Sequence, residues 1–335
     1  MRYKLILLFT SILLLSCCGQ KNATKEQVKS AEQEIKSDVS VPSFNADSAY
    51  TFVAQQVEFG YRIPNSEAHN QCAHFLAVKL ESQGAKVFIQ EAVVTAYNKE
   101  RLNIKNIIGS YNPDNKRRIL LCAHWDSRPY ADHDDNEANH NKPIYGADDG
   151  ASGVGVLLEI ARQISENQIN TGIDIVFFDA EDYGTPEYIR DYSLNTWCLG
   201  SQFWAKKTHI ANYEANFGIL LDMVGAKGAS FYKEYTSVRY ASQYVELVWN
   251  TAKNLGYGKY FINAQGGNVI DDHKYVLEGR KIPCIDIINY APSDPDNHPH
   301  GFAAHWHTVN DNINIIDKGT LKAVGQTVLD VIYKY

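Results

Sequence analysis

The sequence predicts an α/β fold, a single domain with a mostly parallel, twisted central sheet covered by helices on both faces. Three observations predict it. Short segments such as Arg118–Ala123, Ile173–Phe178 and Gly218–Met223 are apolar without polar alternation, the signature of strands buried on both faces. Segments with apolar residues at helical spacing separate them, and strands alternating with helices build a parallel sheet. The apolar segments also run out on His124, Glu181 with Asp182, and Asp222. Such groups are costly to bury without a purpose, and ligands of open α/β sheets bind beyond the carboxyl ends of the strands.

Taken in order, the chain opens on Met1-Arg-Tyr-Lys and an apolar run, Leu5 to Leu15, too short to span a bilayer. Leu14-Leu15-Ser16-Cys17 resembles the bacterial lipoprotein box, with residues 1–16 as signal peptide and lipid on the Cys17 sulfur. An ordinary signal peptide cut near Gly19 is the alternative. Residues 17–44 are expected to form a flexible polar tether. Cys18 follows Cys17 where an acidic residue would favour inner-membrane retention, so the periplasmic side of the outer membrane is expected.

Asn45-Ala-Asp47 should cap a helix over Ala49–Phe59, ended by Gly60. A second helix starts at Asn65-Ser66-Glu67 and stops at Gly84, with Cys72, Leu76 and Leu80 on one face. Lys86–Thr95 and Lys105–Tyr111 read as strands, and Arg118–Ala123 leads into His124-Trp-Asp126. In the polar segment 130–142, His133, Asp134, Asp135 and His140 are compatible with a metal, but a solvated surface loop fits them better. Gly146-Ala-Asp-Asp-Gly150 turns into a helix carrying Val154, Leu157, Leu158, Ala161 and Ile164 at helical spacing. Strand Ile173–Phe178 ends near Glu181 and Asp182, adjacent carboxylates able to divide metal binding and proton transfer. Loop 183–198, with Trp197, precedes a helix near Ser201–His209. Strand Gly218–Met223, a helix over Ser237–Leu255 stopped at Gly256, strand Pro283–Ile288 and a last helix Thr320–Ile332 complete the pattern. No repeat or linker follows residue 44, so 45–335 reads as one domain.

Composition narrows the function. A net charge of −7 without a Lys/Arg cluster argues against a nucleic-acid surface. Cys72, Cys122, Cys198 and Cys284 form no CxxC pair, which argues against a zinc–thiolate site; export permits disulfides, but the sequence does not pair these four. The chemistry gathers instead at His124, Asp126, Asp149, Glu181, Asp182, Asp222 and the late Ala304-His305-Trp306-His307. A His and carboxylate set suits zinc better than magnesium, for which histidine is a poor ligand. One carboxylate left off the metal would move protons.

His124-x-Asp126, Gly146-Ala-Asp-Asp-Gly-Ala151, Phe178-Asp-Ala-Glu-Asp182, Leu221-Asp-Met223 and His307 resemble the zinc aminopeptidase fold group over roughly residues 45–335. That group holds dinuclear aminopeptidases and mononuclear glutaminyl cyclases of the animal type. Cys122-Ala-His-Trp-Asp-Ser-Arg128, Asp271-Asp272-His273 and Phe302-Ala-Ala-His-Trp-His-Thr308 resemble the cyclases' segments. The resemblance implies one zinc per chain held by Asp149, Asp182 and His307, with Glu181 as general acid/base. It implies an Asp222–Asp271 carboxylate pair sharing a proton, and Trp306 and Phe302 as pocket walls. Trp197 is a candidate for a further wall. The substrates implied are peptides and proteins with N-terminal glutamine, cyclised to pyroglutamate with release of ammonia, by a chain expected to be a monomer and tied to a membrane only through Cys17.

There are departures. Position 182 is Asp where animal cyclases have Glu, and Val154 or a near neighbour occupies the place of the second cysteine that pairs with the one matching Cys122, so that disulfide is not expected. The rival reading is a dinuclear aminopeptidase with His124, Asp149, Asp182, Asp222 and His307 as ligands and Glu181 as base. A metal-stabilised binding lipoprotein without catalysis leaves Glu181 with no role.

Overall fold

The computed structural model of the chain describes residues 40–190, 195–296 and 298–335. The signal peptide and most of the tether lie outside the described residues. The chain divides into two units, Met1–Ser40 and Val41–Tyr335. In chain order the helices of the second unit are α1 (Ala46–Glu58), α2 (Glu67–Ser82), α3 (Ala151–Glu166), α4 (Leu199–Lys206), α5 (Tyr235–Asn254), α6 (Asp272–Arg280) and α7 (Lys318–Lys334). Its strands are β1 (Lys86–Thr95), β2 (Arg101–Tyr111), β3 (Arg118–His124), β4 (Gly172–Phe178), β5 (Phe217–Asp222), β6 (Phe231–Lys233), β7 (Phe261–Gln265) and β8 (Cys284–Ile288).

The segments without polar alternation are buried at every residue in β3, β4, β5 and β8. They pair in parallel in the order β4-β3-β5-β8, and the antiparallel β2 and β1 extend the sheet beyond β4. Alternate side chains feed two cores, as the pleat requires. Ile119, Leu121 and Ala123 join residues of α1, α3, α5 and α7 on one face; Leu120 and Cys122 meet Trp204 of α4 and Val276 of α6 on the other. Helices therefore cover both faces. The crossover through α3 takes the chain from β3 to β4, and the one through α4 takes it to β5 on the other side of β3. The order thus reverses between β3 and β5, where open sheets place their ligands.

Helix starts follow the capping residues. Asn45 accepts from Asp47 N and Ser48 N, and Ser66 from His69 N. Among the boundaries that differ from expectation, three have a clear physical reason. β2 begins at Arg101, because Arg-Leu-Asn-Ile-Lys alternates exposed and buried residues and pairs with β1 from Thr95 onward. The helix expected at Ser201–His209 spans Leu199–Lys206, with Cys198 left-handed at its start. The tether was expected to reach residue 44, but Phe44 is buried against α7, its N–H bonded to Gln326 Oε1 at 2.9 Å. The pattern also passed over β6, β7 and α6. The strands are only three and five residues long, and α6 buries little besides Asp272, His273, Tyr275 and Val276. All four described cysteines are buried thiols.

Candidate active site

The strand ends deliver the expected groups, and their neighbours fix them. Asp126, just past β3, accepts the backbone N–H groups of Glu181 at 3.1 Å and Asp182 at 3.2 Å. This grip, together with Ala180 in the left-handed region at φ 50°, turns the chain sharply at the end of β4. Asp149 sits between Asp148 and Gly150 at the start of α3. Gly150 has φ +100°, and a Cβ there would lie 2.6 Å from Asp126 O, so only glycine fits. Asp311 closes the turn from below, accepting from Asp148 N at 2.8 Å and Asp149 N at 3.1 Å. Cys198, Met223 and His307 are also left-handed, at φ 57°, 47° and 53°. Strained backbone of this kind persists where the surroundings over-determine it, and it clusters at functional sites.

Asp149, Asp182 and His307 converge, each offering a ligand atom within 4.8 Å of the others. His307 Nε2 is 3.2 Å from Asp182 Oδ1 and 3.7 Å from Asp149 Oδ2. Asp149 Oδ2 and Asp182 Oδ2 are buried with no hydrogen-bond partner. Buried carboxylate oxygens without partners are costly unless a cation meets them, and two carboxylates with one imidazole are a donor set that zinc accepts. Burial, with the Asp149 charge adding, pushes the Asp182 carboxyl up to about 6, a cost a bound cation would relieve. A second group, His124 with Asp149 and Asp222, shares Asp149 with the first: His124 Nε2 lies 3.0 Å from Asp149 Oδ1 and 3.2 Å from Asp222 Oδ1.

Glu181 points elsewhere. Its Oε1 accepts from the Cys198 thiol at 3.0 Å. Burial pushes its carboxyl well above the ordinary range, with Asp271 and Asp182 adding to the effect and His124 opposing it. Asp271 caps α6, accepting from Asp272 N, while its Oδ2 is buried and unpartnered. Burial pushes Asp222 well up too, and the Asp271 charge contributes. The two share the pocket, though the hydrogen-bond partner of Asp222 is His124 rather than Asp271.

Asp149, Glu181, Asp182, Asp222, Asp271 and His307 all line one cavity of about 240 Å³, closed by Trp197, Phe302 and Trp306. Trp306 stacks on Phe302 at 4.2 Å and on His307 at 3.8 Å. A volume below the roughly 300–1,000 Å³ of drug-sized sites suits a group about the size of one side chain. Met223, Asn268, Val269, Ile270, Ile288 and Tyr290 complete the lining. They come from loops and strand ends without periodicity, so no sequence signal marked them. The segment 130–142 corrects the expectation of a solvated loop. Asp132 and Asp134 are buried, and His133 packs on Trp306 at 4.2 Å, because Asp134 ties the loop back to Asn136, Asn139 and Val309. Asp135 and Glu137 stay exposed as expected.

Fold and site together define an enzyme of open-sheet α/β architecture built around a metal centre at the strand ends. The chain belongs to peptidase family M28, whose profile matches residues 106–332. Among solved structures, a Tannerella forsythia glutaminyl cyclase is 63% identical with a TM-score of 0.85, over 88% of this chain and 100% of that one. A Zn-dependent exopeptidase from Parabacteroides distasonis ATCC 8503 is 59% identical with a TM-score of 0.86, over the same shares. Among curated relatives, the glutaminyl-peptide cyclotransferase of Bos taurus is 24% identical over 261 residues, 70% of this chain and 66% of that protein. The chain spans less than two thirds of the length of the curated relatives it matches. The family and these neighbours imply zinc, in agreement with the donor set.

Proposed function

We propose that the protein is a zinc-dependent glutaminyl-peptide cyclotransferase that converts N-terminal glutamine to pyroglutamate and releases ammonia. The observation that carries this reading is the cavity. A carboxylate outside the ligand set, Glu181, stands beside the convergent Asp149, Asp182 and His307 in an aromatic pocket about the size of one side chain. Its likeness to solved glutaminyl cyclases supports the same reading.

One zinc, held by Asp149, Asp182 and His307, would polarise the side-chain amide carbonyl and offset its developing negative charge. Glu181 takes a proton from the α-amine as it attacks the side-chain carbon and delivers one to the departing nitrogen. Asp222 and Asp271 hold the amine end, and Phe302, Trp306 and Trp197 press the side chain into a near-attack conformation. The rest of the peptide projects outward through the open side of the cavity.

The second group, His124 with Asp149 and Asp222, favours a competing reading, a dinuclear aminopeptidase. One experiment separates them. A Gln-initiated peptide and a Leu anilide are incubated with the protein, with and without chelator, and zinc per chain is measured. Chelator-sensitive ammonia release, no anilide cleavage and one zinc support the cyclase; anilide release with two zinc ions at full occupancy overturns it.

The chain is further proposed to act as a monomer, tethered through lipid on Cys17 at the periplasmic face of an outer membrane. Among the described residues no helix is long and apolar enough to cross a membrane. Palmitate labelling that persists in a Cys17→Ser variant would sink the anchor.

A further inference from the structure

Arg128 and Asp132, one helical turn apart in sequence but outside any helix, form a fully buried pair beside His307 and Asp182. Arg128 Nε and Nη2 donate to Asp132 Oδ1 and Oδ2, both at 2.7 Å, and the side chains are 0% and 1% exposed. A buried ion pair is a weak source of stability, because desolvation offsets most of the attraction. Its contacts point to another role. Asp132 Oδ1 lies 3.5 Å from His307 Nδ1, the ring nitrogen facing away from Asp149 and Asp182. Arg128 Nη1 donates to Asp182 O at 3.0 Å and stands 3.6 Å from Asp182 Oδ1. Two of the three proposed ligands are therefore held from behind by one pair.

The same pair holds the pocket wall. The Arg128 guanidinium sits 4.6 Å from the centre of the Trp197 ring, which lies parallel to His307 at 5.9 Å. Asp132 Oδ2 accepts from Glu187 N at 2.9 Å, at the far side of the loop that carries Trp197. The described start of that loop, at Glu187, thus docks on the carboxylate that faces the ligand imidazole.

We propose that Arg128 and Asp132 are positioning residues that couple the zinc site to the substrate wall. The Asp132 carboxylate, the group nearest an otherwise unpartnered His307 Nδ1, favours the tautomer that leaves Nε2 as the ligating nitrogen, Arg128 fixes Asp182, and the pair seats Trp197. The proposal rests on Asp149, Asp182 and His307 being the zinc ligands. Outer partners of a ligating histidine set its tautomer and ring orientation, and their loss typically costs about 10–100-fold in metal affinity or activity.

The test measures zinc affinity of the full chain by competition with a chromophoric chelator, alongside KM and kcat. Asp132→Asn is expected to weaken zinc binding about 10–100-fold and to raise KM as Trp197 loosens. Asp132→Asn leaves Arg128 partly unpaired and could fail to fold. The double variant Arg128→Met/Asp132→Leu removes both charges, and its folding is checked by circular dichroism. It should fold and still bind zinc as weakly as the single variant. Wild-type zinc affinity in either folded variant overturns the proposal. Asp149→Ala, a ligand control, should lose zinc; if it does not, the ligand assignment itself fails, and with it the ground of the proposal.

Discussion

Glu181→Gln isolates the proton-transfer role. The amide keeps the size of the carboxyl, and its oxygen can still accept from the Cys198 thiol that now bonds Oε1 at 3.0 Å. Its new N–H groups face a carboxylate-rich surrounding, with an Asp271 oxygen within 4.8 Å. One negative charge also leaves a crowded group of carboxylates, so folding and zinc retention should be unharmed. What disappears is the capacity to take the amine proton. Loss of a positioned general acid/base typically costs about 10²–10⁴ in rate, or about 3–6 kcal/mol of transition-state stabilisation at ~1.4 kcal/mol per decade. The pH profile carries a second signature. Because Glu181 must be ionised to act and is held well above the ordinary range, wild-type kcat should fall as pH drops through that raised value, and the limb should vanish from any residual activity of the variant. The assay is ammonia release from a Gln-initiated peptide, with zinc content measured on the same sample. A zinc-loaded variant within tenfold of wild-type kcat would refute the reasoning, as would activity lost only in proportion to zinc.

Two further outcomes test the frame around the site. His305 Nε2 meets Asp148 Oδ2 at 2.8 Å; burial disfavours its charge, but Asp148 outweighs that and raises the imidazole from 6.5 to about 9. The folded value lies above the unfolded one, so the pair's contribution, at most about 3 kcal/mol, is full below pH 6.5 and lost as pH rises through about 9. His305→Gln should therefore unfold at lower urea than wild type at pH 6 and match it near pH 10; a gap independent of pH would contradict this. A Cβ on Gly153 would lie 2.3 Å from Leu221 O and 2.9 Å from Ala123 Cβ. Gly153→Ala should push α3 off β3 and β5 and destabilise by about 1–3 kcal/mol, the usual cost of overpacking, and an unchanged melting temperature would show that the helix is not seated by that contact.

Much of the site was legible because the strands that carry it are apolar at every position, so a polar residue at their ends stands out. His124, Glu181, Asp182 and Asp222 follow from that contrast alone. Asp271 does not; it lies before a short, mostly polar helix and became visible through resemblance of its motif to a known family, which also singled out His307 from the late His305-Trp306-His307 run. What remained hidden is the set of long-range contacts that orient the groups. Asp126 reaches the Glu181 and Asp182 N–H groups across 55 and 56 residues, and Asp132 reaches His307 from a segment whose polarity reads as a surface loop. Four residues at or beside the site adopt left-handed backbone, which local preference would not assign to Ala180, Cys198, Met223 or His307. These hidden contacts answer the question that two adjacent carboxylates pose. The turn at Ala180 and the grip of Asp126 fix both backbone amides, and the two side chains then diverge. Asp182 turns to His307 and Arg128, and Glu181 to Cys198. Neighbours in sequence thus face different partners, which is the geometric condition for one to bind metal while the other carries the proton.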